Sequence, residues 1–143
     1  MFGGERNPYQ LLAEVAVVPK ILVVDDEPHI RMLLAQTLED LEDEGVDLLA
    51  AGNGEEALAV IREERPGLVL LDVMMPRMNG FEVCRTVKNE PGLAGVYIAM
   101  LTAKGQEFDR QKGLEAGADV YVTKPFNPDE IVSLARRVLR LPG

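Results

Sequence analysis

The chain has 143 residues, 47% hydrophobic and 27% charged, which suits one globular domain with a substantial core and excludes a disordered polymer. Fifteen Lys and Arg against 24 Asp and Glu leave a net charge of -9, which opposes binding to nucleic-acid phosphates or to anionic lipid. One cysteine, Cys84, excludes an internal disulfide and a Cys-rich zinc site, and no apolar run nears the roughly 18 residues of a membrane span.

The start of the chain lacks the basic and apolar regions of a signal peptide, so a cytoplasmic protein is expected. Residues 1–19 carry Gly, Asn and Pro around one modest apolar patch, Leu11 to Val18, and read as an accessory extension to a domain over 20–143. From Lys20 a regular alternation begins. ILVV (21–24) is a short β-branched run that predicts a strand ending in Asp25-Asp26. Ile30, Leu33, Leu34, Leu38 and Leu41 then fall on one face of a helix that Gly45 stops. VDLLAA (46–51) predicts the second strand. Asn53 to Glu56 has the spacing of a helix cap, with Ala57, Leu58 and Ile61 as the inner face.

Pro66-Gly67 ends that helix and LVLL (68–71) predicts the third strand. Asn79-Gly80 opens a third helix whose inner side holds Val83, Cys84 and Val87. GVYIAML (95–101) predicts the fourth strand. The fourth helix, between Gly105 and Gly117, is weak: Phe108 and Leu114 are its only strong apolar anchors and Gly113 interrupts it. Few buried contacts imply low local stability there. VYV (120–122) predicts the fifth strand. Asn127-Pro128-Asp129-Glu130 starts the last helix, whose inner face is Ile131, Leu134, Ala135, Val138 and Leu139. Strands apolar on both faces and separated by helices predict an α/β fold of five parallel strands and five helices, with a functional crevice beyond the strands' C-terminal ends.

The residues at those ends are Asp25 and Asp26, Asp72, Thr102, and Lys124 followed by Pro125. Clustered carboxylates repel one another and favour protonation, a conflict that a hard divalent cation removes. The Lys124 ammonium adds fixed positive charge and Thr102 a hydroxyl donor, which together suit a phosphoryl group. An aspartate can itself attack phosphorus, and Asp72, alone at the central strand's end, is the candidate nucleophile. His29 reads as a solvent-facing residue of the first helical turn, and Cys84 as core.

ILVVDDE, LVLLDVMMPRMNGFEVCR, AMLTAKG, EAGADVYVTKPF and the NPDEIVSLARRVL tail resemble the receiver domain of bacterial two-component response regulators. The resemblance covers roughly residues 20–140. It implies a flavodoxin-like, doubly wound sheet of order 2-1-3-4-5. It also implies that Asp72 accepts a phosphoryl group with Mg2+ as cofactor. Asp26 would be a direct metal ligand, Asp25 would assist through water, and the backbone carbonyl of Met74 would complete the protein's set with Asp72. Thr102 resembles the switch hydroxyl, Lys124 its cationic partner and Tyr121 the aromatic switch residue. The Lys124–Pro125 bond is expected to be cis.

By the same resemblance, the phosphoryl donor would be a sensor histidine kinase or a phosphotransfer protein. The face built from the fourth helix, fifth strand and last helix would change its affinity for a downstream protein target. A stand-alone or isolated receiver is expected, with no direct nucleic acid and no membrane among its partners. Phosphorylation-dependent homodimerisation is left open. Two other readings compete with this phosphoacceptor that is not an enzyme on other substrates. An aspartate-nucleophile phosphatase usually has a second acid where this chain has Met74. A scaffold that is never phosphorylated would not need the full set of site residues.

Overall fold

A computed structural model describes residues 18–103 and 107–142. The extension expected at residues 1–19 therefore lies almost wholly outside the described residues, as does the Phe108 side chain. The five strands are β1 (Lys20–Val24), β2 (Asp47–Ala51), β3 (Leu68–Asp72), β4 (Tyr97–Ala103) and β5 (Val120–Lys124). They form one parallel sheet in the order β2-β1-β3-β4-β5, the flavodoxin-like arrangement. Thr102 and Lys124 thus belong to their strands, where the sequence placed them just after.

Six helices are described where the pattern predicts five: α1 (Pro28–Thr37), α2 (Glu39–Glu42), α3 (Gly54–Glu64), α4 (Gly80–Asn89), α5 (Glu107–Ala116) and α6 (Pro128–Leu139). The extra one arises because the first predicted helix breaks at Leu38, whose φ of -99° and ψ of 4° leave the helical region. The Leu41 amide then bonds the Leu38 carbonyl at 2.9 Å and starts a new turn. Leu38 and Leu41 stay buried across the break, so the apolar pattern survives although the helix does not. Leu33 departs from the expected inner face and is 46% exposed. The buried stripe steps from Leu34 to Leu38 to Leu41, and Leu33 lies about 100° round the helix from Leu34.

Each strand's side chains alternate between two apolar layers. Leu22, Val24, Val69 and Leu71 meet Leu58, Ile61, Val83 and Val87 of α3 and α4. Ile21, Val23, Leu68 and Leu70 meet Leu34 of α1 and Ile131 and Leu134 of α6. Burial on both faces explains why these strands read as continuous apolar runs. Cys84 is buried as expected; its thiol donates to the Ala116 carbonyl at 3.5 Å, and burial pushes it up to about 11. No described helix is long and apolar enough to cross a membrane.

At the N-terminal end of the sheet, Lys88 ties three segments together. Its ammonium donates to the carbonyls of Ala94 and Val96 at 3.2 and 2.7 Å and to Asp119 Oδ2 at 2.7 Å. The same Asp119 oxygen accepts the Ile98 amide at 2.8 Å. The end of α4, the entry to β4 and the turn into β5 are thereby held in register, at the opposite end from the acidic residues. Lys88→Met keeps the apolar stem but leaves these acceptors short of a donor. It is expected to cost about 2 kcal/mol, read as a lower urea midpoint at unchanged slope. Arg62→Met, which removes a surface pair with Glu90, is expected to shift the midpoint much less.

Candidate functional site

The only buried polar or charged side chains among the described residues are Asp25, Asp72 and Thr102, and all three lie at the C-terminal end of the sheet. Asp25 is held from several directions. Its amide donates to the Ala51 carbonyl at 3.2 Å, Oδ1 accepts the Glu27 amide at 2.9 Å, and its carbonyl accepts Arg31 Nη1 at 2.6 Å. Asp26 is exposed beside it. Asp72 is the last residue of β3 and only 5% exposed.

The start of α4 packs directly on the Asp72 backbone. A Cβ at Gly80 would overlap the Asp72 carbonyl oxygen and come within 3.0 Å of Val73 Cα. The Gly80 amide bonds the Val73 carbonyl at 3.0 Å, and Asn79 and Glu82 close a reciprocal capping box. Glycine is required at position 80 by this close approach, so the Asn-Gly pair is more than a helix start. Met74 presents an exposed side chain while its backbone hydrogen-bonds the Asp72 carboxylate.

Lys124, the last residue of β5, bridges the two buried acids. Its Nζ lies 3.1 Å from Asp25 Oδ2 and 3.0 Å from Asp72 Oδ1. The Lys124–Pro125 bond is cis. Thr102 pairs with Thr123 across β4 and β5, and Tyr121 pairs with Met100, so Tyr121 shares a sheet face with Thr102 two residues below it. Tyr121 is half-buried against α5. His29 is exposed, with Nε2 3.1 Å from Glu27 Oε2. The sequence reading missed Arg31. Its signal was a basic residue one turn into α1, close enough in sequence to fold back on the acidic pair.

The charges do not balance. Burial raises the Asp72 carboxyl to about 6, opposed by the Lys124 hydrogen bond and reinforced by Asp25. Burial would lower the Lys124 ammonium, but its bonds to Asp72 and Asp25 win and hold it above its ordinary value. Carboxylate oxygens of Asp25, Asp26 and Asp72 all lie within 4.8 Å of one another. Three acids against one ammonium leave a site short of positive charge, and its all-oxygen donor set suits a hard cation such as Mg2+.

Residues 21–136 match the family described as "Response regulator receiver domain". The chain belongs to this family. Over 121 residues, 85% of this receiver and 50% of the relative, it is 49% identical to the DNA-binding response regulator MtrA of Mycolicibacterium smegmatis. It is 47% identical to the alkaline phosphatase synthesis transcriptional regulatory protein PhoP of Bacillus subtilis, again over 121 residues, 85% of this chain and 48% of that one. The chemotaxis protein CheY4 of Vibrio cholerae superposes with a TM-score of 0.76 at 34% identity, covering 85% of this receiver and 99% of CheY4.

The chain spans about half the length of the curated relatives it matches. These relatives correct the expectation that nucleic acid is not among the partners, because MtrA is named as DNA-binding and PhoP as a transcriptional regulator. An output confined to a protein target falls with it. The charge argument failed because the net charge of -9 belongs to these 143 residues alone.

The raised Asp72 carboxyl has a defined consequence for stability. Between its ordinary value of 3.8 and about 6, the folded receiver keeps a proton that the unfolded chain has released. Stability should therefore fall as pH rises through that window, by about 3 kcal/mol at most. Asp72→Asn is expected to flatten this fall and to be the more stable protein at pH 7. Urea titrations of both proteins with a chelator present check this; parallel pH profiles would contradict it.

Proposed function

We propose that this receiver is a phosphorylation-controlled switch in which Asp72 accepts a phosphoryl group from a sensor histidine kinase or phosphotransfer protein. The observation that carries the reading is Lys124 bridging Asp25 and Asp72, with Asp26 in reach of both. In the transfer, an Asp72 carboxylate oxygen attacks the phosphorus of a phosphohistidine. The P–N bond breaks as the acyl P–O bond forms, and the imidazole leaves and takes up a proton. Lys124 steadies the transferred oxygens and the Thr102 hydroxyl donates to one of them.

Asp25 already accepts the Glu27 amide on Oδ1 and Lys124 on Oδ2. That supports Asp26 and Asp72 as the direct ligands of Mg2+, with Asp25 acting through water and the Met74 carbonyl as the remaining protein ligand. Bound there, the ion supplies positive charge that offsets the acids and the incoming phosphoryl oxygens. Thr102 and Tyr121 then pass the change to the face of α5, β5 and α6. Taking a switch from 1:99 to 99:1 needs about 5.5 kcal/mol of differential stabilisation. Several charge-assisted hydrogen bonds, each about 1.5–3 kcal/mol, are of that order.

The receiver unit is residues 20–143, and residues 1–19 are an extension to it. The names of MtrA and PhoP support a DNA-binding regulator as the full protein, with this receiver controlling its output.

Acetyl phosphate with Mg2+ is expected to add one phosphoryl group, seen by intact mass. The addition should be lost in Asp72→Ala and on chelation; sustained turnover of many phosphoesters would point to a phosphatase instead. Mg2+ alone should raise the thermal midpoint. Asp26→Asn should weaken its binding by at least about tenfold, as read by calorimetry, and an unchanged affinity would remove Asp26 from the ligand set.

A further inference from the structure

We infer that Gly113 is the positioning residue of Tyr121: it provides the seat on α5 in which the tyrosine ring rests, and so sets where the ring lies. The inference rests on the reading of Tyr121 as the switch aromatic. Its starting point is a mismatch between residue and place. Gly113 lies inside α5, where glycine is among the weakest helix formers, yet it is buried while its neighbour Leu114 is 61% exposed. Leu114 is therefore not the anchor that the sequence pattern suggests, and the place on α5 where Tyr121 rests belongs to a residue with no side chain.

The reason is the ring of Tyr121. A Cβ at position 113 would overlap Tyr121 Oη and Cζ and lie 2.5 Å from Cε2. The hydroxyl edge of the ring thus rests on the helix backbone itself, in space that any other residue would fill. The helix is poorly placed to move aside. Its end is fixed by the Ala118 amide on the Gly113 carbonyl at 2.9 Å and the Gly117 amide on Leu114 at 3.1 Å. Gly117, at φ +95°, also packs on the Lys88 stem. The tyrosine, by contrast, turns about only two side-chain torsions. A cleft of about 370 Å³ lined by Leu114, Ala118, Val120 and Tyr121 gives a displaced ring somewhere to go.

A methyl group at position 113 should therefore evict the ring and leave the helix in place. Tyr121 shares its sheet face with Thr102, so the seat lies between the phosphoryl-binding end of β4 and the surface of α5. Filling the seat removes the position in which the ring rests.

Gly113→Ala, Tyr121→Ala and the double variant test this. With fluorotyrosine incorporated, the chain reports through Tyr9, Tyr97 and Tyr121, and Tyr121→Phe assigns the third signal. In Gly113→Ala the Tyr121 resonance should move while Tyr97 stays, and acetyl phosphate with Mg2+ should shift it less than in the parent. The thermal midpoint should fall when alanine enters the parent. It should rise when alanine enters Tyr121→Ala, because the seat is then empty and alanine favours the helix. That reversal remains readable if Gly113→Ala alone fails to fold. A Tyr121 resonance unmoved by Gly113→Ala, or a midpoint change of the same sign in both backgrounds, overturns the inference. A parent that takes up no phosphoryl group would instead sink the switch reading and leave the seat to be judged by the resonance and the reversal.

Discussion

One ammonium shared between two buried carboxylates is the constraint around which the rest of this receiver is arranged. Lys124 reaches Asp25 and Asp72 at close to 3 Å each, from strands that are not all neighbours in the sheet. Burying two acids is costly unless they are paired, and a single lysine pairs them only in part. The remainder shows as an Asp72 carboxyl raised to about 6, with Asp26 adding a further negative charge at the surface. A site left in that state is short of positive charge, and its carboxylate oxygens form a donor set that suits a hard cation.

The parallel sheet makes this arrangement available. Every strand runs the same way, so every strand's C-terminal end opens on one rim, where Asp25, Asp72 and Lys124 meet and where β4 ends beside them with Thr102. The buried polar side chains among the described residues are Asp25, Asp72 and Thr102, all at this end of the sheet. Backbone contacts fix the rim: the Gly80 approach to Asp72, the capping box at α4 and the hold of Arg31 on the Asp25 carbonyl. At the opposite end, Lys88 and Asp119 perform the structural counterpart, tying α4 to the entries of β4 and β5 without chemistry. The same two residue types do different work because Lys88 faces one carboxylate and two carbonyls, whereas Lys124 faces two buried carboxylates at once.

Between the rim and the surface of α5 the packing is close but not uniform. Tyr121 rests on bare helix backbone at Gly113, and Leu114 beside it points away from the core. The ring of Tyr121 can change its packing by turning about two side-chain torsions, while the Lys88 tie holds the turn that follows α5 in place. That division suits a domain in which a local charge change must be felt several residues away.

The sequence determined the fold class and which strand ends carry the polar residues. Apolar runs separated by helical periodicity dictated a parallel sheet, and such a sheet puts its strand ends on one rim, so Asp25, Asp26, Asp72, Thr102 and Lys124 could be expected at that rim before any coordinates. Periodicity reports burial summed over several residues, however, and it does not resolve single contacts. Only the tertiary structure decided that the first helix breaks at Leu38, that Leu33 faces outward, that Arg31 holds the Asp25 carbonyl, and that Gly80 and Gly113 are spaces occupied by other residues. A glycine's sequence context is the same whether it ends a helix or makes room for a ring; the neighbour that requires it comes from elsewhere in the chain and is fixed only when the two segments pack.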